Sequence, residues 1–160
     1  MKNYSSFQKK ATSLSMKLFL FRQLPLAFIA GVRIKTFDKE GITTNLRFRW
    51  INQNPFKSMY FAAMHMAAEL ATGLLLFQYM NKKNRFSMLL IDTQASFTQK
   101  AIGNISFQCT EGKNAEAFVQ RILASEEGDT IDLPVTAFNE KNEEIATFKY
   151  TWSCKQKRRP

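Results

Sequence analysis

Several things are scarce in this 160-residue chain, and each scarcity excludes something. It holds one histidine, His65, and two cysteines, Cys109 and Cys154, far apart and without metal-ligand spacing. One His and two Cys cannot complete an ordinary four-ligand zinc site without carboxylates or a second chain, so no metal is expected. Each cysteine falls in a strand-like stretch, which reads as a small buried thiol in a reducing compartment. No run of about 18 uninterrupted apolar residues occurs, so no membrane span is expected. The polar start MKNYSSFQKKATS, with Arg22 and Pro25 interrupting the apolar stretch behind it, does not read as a signal peptide. A cytoplasmic location is the expectation. Acidic residues are also few, 13 against 23 Lys and Arg, leaving a net charge of +10. That excess favours an anionic partner or simply solubility. Much of it lies at the ends, at Lys9-Lys10 and in Lys155 to Arg159, and no nucleic-acid motif accompanies it.

Apolar residues are plentiful, at 45% with 15 Phe and 7 Met, enough for one sizeable core. Residues 1–12 read as a flexible start, 13–153 as one domain and 154–160 as a basic tail. Ser13 or Ser15 can cap a short helix through Leu24, which Pro25 should stop. Beyond it Ala30, Val32 and Ile34 alternate with polar neighbours. Leu46, Phe48 and Trp50 do the same after the turn at Asp38 to Gly41, and the pair reads as a hairpin. Met59 to Met80 is rich in Ala, Met and Leu and is helical by propensity. Strand-like stretches follow at 86–97, 104–109, 131–137 and 145–152, with a short amphipathic helix on Ala115, Phe118 and Ile122 between the second and third. Most strands have one apolar face, so the class is α+β, an antiparallel sheet packed on the long helix.

That helix carries few strongly polar side chains between Phe61 and Met80, namely His65, Glu69 and Gln78. A helix apolar nearly all round should be buried nearly all round. Glu69 then becomes a desolvated carboxylate with a raised pKa, which suits a general base near neutral pH. It could equally point to solvent or pair with His65 one turn earlier. The first N–H groups of the helix lack intrahelical partners and could hold an oxyanion.

The stretch Asn54-Pro-Phe-Lys-Ser-Met-Tyr-Phe-Ala-Ala-Met-His-Met-Ala-Ala-Glu69 resembles the loop and central helix of the hotdog-fold thioesterases. It is most like small single-domain bacterial members related to the phenylacetyl-CoA type. The Leu18 to Pro25 segment and the final hairpin share in the likeness, which spans most of residues 12 to 153. The resemblance implies an antiparallel sheet wrapped around the central helix, and hydrolysis of acyl-CoA without any further cofactor. Asn54 falls at the family's loop Asn, Tyr60-Phe61-Ala62 at its His-Gly-Gly turn and Glu69 at its acid. By that likeness Glu69 would activate water or attack directly. A backbone N–H near Phe61 or Ala62 would bind the carbonyl oxygen, with Tyr60 and His65 beside the substrate. Asn54 of a facing subunit would position water or thioester, which implies a homodimer, with a tetramer as the next assembly. Phe61 and Ala62 replace a glycine pair that lets backbone approach the thioester. A non-catalytic acyl-ligand binder of the same fold is therefore the alternative. Lys57, Lys82, Lys83 and Arg85 are candidates for the CoA phosphates. A dehydratase would need a His and a carboxylate across the site, whereas His65 and Glu69 share one helix. A nucleic-acid or membrane-surface binder would rest on charge alone.

Overall fold

The computed structural model describes residue 8 and residues 13–81, 84–125 and 127–157. The expected mobile start (Gln8 apart), Lys82, Lys83 and the last residues of the basic tail lie outside that set. Gln8 is buried and its amide donates to Gln78 Oε1 at 2.9 Å.

Helix α1 (Leu14–Gln23) has Ser13 at its N-cap position, but the Ser13 hydroxyl pairs with Ser15 Oγ at 2.6 Å instead of capping. Pro25 was expected to lead into extended chain. It instead opens a second helix, α2 (Pro25–Ala30), where its missing N–H and fixed φ suit the first turn. Gly31, at φ 95°, ends that helix in the left-handed region that favours glycine. The first hairpin is β1 (Arg33–Phe37) and β2 (Ile42–Arg47). Asp38 Oδ1 fixes its turn by accepting the Glu40 and Gly41 N–H groups at 2.9 and 3.1 Å. The alternation read through Phe48 and Trp50 does not continue as strand. The chain leaves β2 after Arg47, and Trp50–Asn52 forms a 3-10 turn that exposes Trp50 and Ile51 and buries Asn52.

Helix α3 (Phe61–Phe77) follows, then β3 (Phe86–Phe97), β4 (Asn104–Cys109), α4 (Gly112–Ala124), β5 (Asp129–Phe138) and β6 (Glu144–Gln156). The six strands make one antiparallel sheet in the order β1-β2-β4-β5-β6-β3. β6 continues past residue 153 through a fully buried Cys154. The sheet wraps α3 as the family resemblance implied, which makes this a hotdog fold. Two buried side-chain bonds pin the helix to the sheet. Thr44 Oγ1 donates to the Ala67 carbonyl at 2.7 Å, and Trp152 Nε1 donates to Thr72 Oγ1 at 3.0 Å. No described helix is long and apolar enough to cross a membrane.

One expectation about α3 fails. Its interior face is buried from Ala63 to Leu76, but Phe61, His65, Glu69, Gly73 and Phe77 are each at least partly exposed. Those positions recur every fourth residue, so they form one stripe along the helix. The sheet and neighbouring helices cover the other faces and leave this one open. Glu69, expected to be buried, is exposed at its centre.

Candidate functional site

The loop ahead of α3 is built by two asparagines. Asn52 is buried; its Nδ2 donates to the Ala30 and Arg47 carbonyls at 3.2 and 2.9 Å, and its Oδ1 accepts the Arg49 N–H at 2.8 Å. Its backbone carbonyl accepts the Tyr60 N–H at 2.7 Å. One residue thereby ties the end of α2, the end of β2 and the entry to α3 together. No motif marks it in the sequence.

Asn54, read as a candidate to position water, also works locally. Its Oδ1 accepts the Phe56 and Ser58 N–H groups at 2.9 and 3.2 Å, and its Nδ2 donates to the Met59 carbonyl at 3.2 Å. Asn side chains commonly close turns in this way. Here the arrangement delivers the chain to Tyr60, the N-cap of α3.

Helix α3 starts without a side-chain cap, and its first backbone bonds run from Ala63 and Met64 to the Tyr60 carbonyl at 3.0 and 3.3 Å. The N–H groups of Phe61 and Ala62 find no acceptor among the described residues. They stand at the positive end of the helix dipole. The Tyr60 and Phe61 rings meet edge to face at 4.9 Å, and both are exposed.

His65 lies one turn further on, inside an aromatic cluster. Its ring is 5.1 Å from Phe148 and 5.9 Å from Tyr150 by centroids, and both contacts are edge-on. Its Nδ1 lies 2.9 Å from the Tyr150 hydroxyl, which also lies 3.3 Å from the His65 carbonyl. Burial lowers the pKa of the imidazole. A neutral ring bonded to a buried Tyr is a satisfied packing residue. The alternative pairing of His65 with Glu69 is not formed among the described ion pairs.

Glu69 sits on the rim of a cavity of about 560 Å³ between α3 and the two N-terminal helices. Phe19, Leu24 and Leu26 wall one side, Met66, Leu70, Leu74 and Phe77 the other, and Met88 comes from β3. Among these linings Glu69 is the sole ionisable group. The surrounding apolar mass desolvates its carboxyl and raises its pKa, although the side chain opens to solvent. The carboxylate has no hydrogen-bond partner among those described. The nearby charge of Glu69, after burial itself, also helps push the Tyr150 hydroxyl upward.

Asn54 and Phe61 line a second concavity of about 410 Å³ with Phe97 and Lys100. One chain therefore keeps Asn54 and Glu69 in separate cavities. The two described candidates for the phosphates, Lys57 and Arg85, are not gathered either. Lys57 precedes α3 and Arg85 follows it, at opposite ends of a helix about 25 Å long, and both are exposed. The bonds of Tyr150 and Thr72 escaped the sequence because their partners lie 85 and 80 positions away in the chain.

The fold has many solved counterparts. Over 89% of this chain and 95% of the other, it matches a Pseudomonas aeruginosa protein of unknown function, PA5026, called a "Probable Thioesterase", with TM-score 0.75 and 17% identity. Thioesterase HI1161 of Haemophilus influenzae matches over 94% and 95%, with TM-score 0.70 and 13% identity. A Chlorobaculum tepidum protein with unknown function, OLEI01261, matches over 89% and 93%, with TM-score 0.75 and 14% identity. At such identities the likeness establishes the fold. No curated protein matches the sequence. A family model, the domain of unknown function DUF4442, matches residues 13–154. The chain thus belongs to the DUF4442 family, and it carries the hotdog fold of thioesterase-like structures.

Proposed function

We propose that this protein hydrolyses an acyl thioester such as an acyl-CoA, with Glu69 as the base. The observation that carries the reading is a carboxylate with a raised pKa and no partner among the described residues, which supply no other ionisable lining to an apolar cavity of about 560 Å³. That volume lies in the range of small-molecule sites. In the reaction the deprotonated Glu69 takes a proton from water, and the water oxygen attacks the thioester carbon. The carbonyl oxygen becomes an oxyanion beside the N–H groups of Phe61 and Ala62 at the helix start of a facing copy. As the tetrahedral intermediate collapses, the C–S bond breaks and the thiolate receives the proton, leaving acid and thiol. Direct attack by Glu69 would give an acyl-enzyme anhydride that water then opens.

The working unit in this reading is a homodimer. The open stripe of α3 and the free edge of β3, with Leu89, Ile91 and Phe97 exposed, both need a cover. A second copy there would bring its Asn54 and helix start to this chain's Glu69, which the single chain keeps apart. Two buried free thiols fit a reducing cytoplasm as its location. Lys57 and Arg85 remain candidates for CoA phosphates, along with Lys82 and Lys83.

A non-catalytic acyl binder is the second reading. Phe61 favours it, since an exposed aromatic ring stands where close backbone approach is required. So does Asn54, whose amide is already engaged by its own loop. Thiol release from short, medium, long and aromatic acyl-CoAs, measured for wild type and Glu69→Gln, separates the two. Turnover lost by about a hundredfold in the variant supports hydrolysis. Bound acyl-CoA without turnover supports the binder.

A further inference from the structure

The first 37 residues of the chain have a one-sided charge. Before Asp38 there is no Asp or Glu, yet there are Lys2, Lys9, Lys10, Lys17, Arg22, Arg33 and Lys35. Within this acid-free segment, α1 breaks the rule that an apolar helix face finds a core. One side is buried through Met16 and Leu20. The opposite side is apolar too and is largely uncovered among the described residues, with Leu14 80%, Leu18 56% and Phe21 54% exposed, Phe21 touching only the Phe28 ring edge-on at 5.4 Å. The adjoining α2 adds Leu26 and Ile29, at 68% and 55%.

The angular order of these side chains is specific. At about 100° per residue, Leu14, Leu18 and Phe21 fall within a stripe of roughly 60°. Lys17 lies about 60° to one side of Leu14 and Arg22 about 80° to the other, so a cation borders the stripe on each flank. Both are exposed. An apolar stripe edged by long basic side chains is the arrangement of a helix lying in a membrane interface, where the stems stay in the apolar layer and the heads reach the phosphates. A second copy of this chain fits the surface poorly. A two-fold contact would set Lys17 and Arg22 against their own counterparts, with no acid in the segment to offset them.

We propose that α1 and α2 dock this protein on an anionic lipid bilayer surface, with Leu14, Leu18, Phe21 and Ile29 entering the interface and Lys17 and Arg22 meeting lipid phosphates. Binding is peripheral. It is independent of the thioesterase reading, but it touches the same cavity. Leu24 and Leu26 are exposed on these helices and also wall the cavity whose rim holds Glu69. The docked face and the cavity wall are thus two sides of the same pair of helices.

Vesicle flotation with full-length protein tests this, using phosphatidylcholine alone and phosphatidylcholine with about one-third phosphatidylglycerol, at low salt and at about 0.5 M salt. The expected result is binding to the anionic vesicles that salt weakens, with little binding to the neutral ones. Lys17→Gln with Arg22→Gln lowers it by roughly fivefold per charge. Leu14→Asp with Leu18→Asp lowers it by about tenfold or more, because the apolar anchor is lost. Melting curves establish that both variants fold; should the Leu pair unfold, the Lys17 and Arg22 pair decides. No binding to anionic vesicles overturns the proposal. So does undiminished binding by folded Leu14 and Leu18 variants, which would leave only diffuse attraction. A wild type that forms a larger assembly than those variants in light scattering also overturns it, by assigning the face to a second copy.

Discussion

Replacing Asn52 by Ala probes how the start of the central helix is held. The substitution removes two donated bonds, to Ala30 O and Arg47 O, and one accepted bond from Arg49 N, all at 2.8–3.2 Å. Asn52 is 3% exposed, so the Ala30 carbonyl in particular is left in a buried bond site without a donor. The other two groups lie nearer the surface, where water can replace part of what is lost. Counting about 1 kcal/mol for each recoverable bond and up to about 2 for the buried one gives a loss of roughly 2–4 kcal/mol. For a domain of this size that corresponds to a melting temperature lower by about 5–15 °C. Urea unfolding followed by the fluorescence of Trp50 and Trp152 measures it, with an unchanged slope showing that the unfolded state is the same. A loss below about 0.5 kcal/mol would refute the view that Asn52 is the clasp between α2, β2 and α3.

Gly73 lies inside α3, and a Cβ there would stand 3.5 Å from Trp152 Cζ2, an ordinary contact. Gly73→Ala should therefore stabilise the fold by about 0.5–1 kcal/mol in urea unfolding, and a clear loss would mean tighter packing than this contact implies. Glu69→Gln should be more stable than wild type at neutral pH. Burial raises the folded-state pKa, so wild-type stability falls as pH rises through that value, while near pH ~3, where folded and unfolded chains both hold the proton, the melting curves converge. Leu89→Lys with Ile91→Lys places charge on the free β3 edge, both residues being exposed in the single chain. For the proposed dimer, light scattering should report two copies for wild type and one for the variant, and an unchanged dimer would place the interface elsewhere.

Period-two stretches were legible where a strand has one face on α3, as β2, β4, β5 and β6 do. The alternation of Ala146, Phe148, Tyr150 and Trp152 places β6 correctly, and all four are buried. The same rule over-read Trp50, whose apolar side chain continues the alternation after the chain has left the sheet. Pro25 was read as a stop because it ends α1; its compatibility with a first helical turn is equally strong, and only tertiary packing selects a second helix. The burial of Glu69 was misjudged for a related reason. Phe61, Gly73 and Phe77 make the open stripe as apolar as the covered faces, and hydropathy does not distinguish a face meeting its own sheet from one left open. The raised pKa of Glu69 was nonetheless legible, since apolar neighbours suffice to cause it. The fixing of His65 by Tyr150 was not, because the two residues lie 85 positions apart.

The most direct test of the central claim is kcat/KM against pH for acyl-CoA hydrolysis, in wild type and Glu69→Gln. Assignment of Glu69 as the base predicts a wild-type rate that falls as pH is lowered through a midpoint above the ordinary glutamate range of about 4.3, because the protonated carboxyl cannot accept a proton from water. In the variant that limb vanishes and the rate drops by about a hundredfold or more at every pH. Wild-type hydrolysis whose rate and acid limb survive the substitution would contradict the assignment of Glu69.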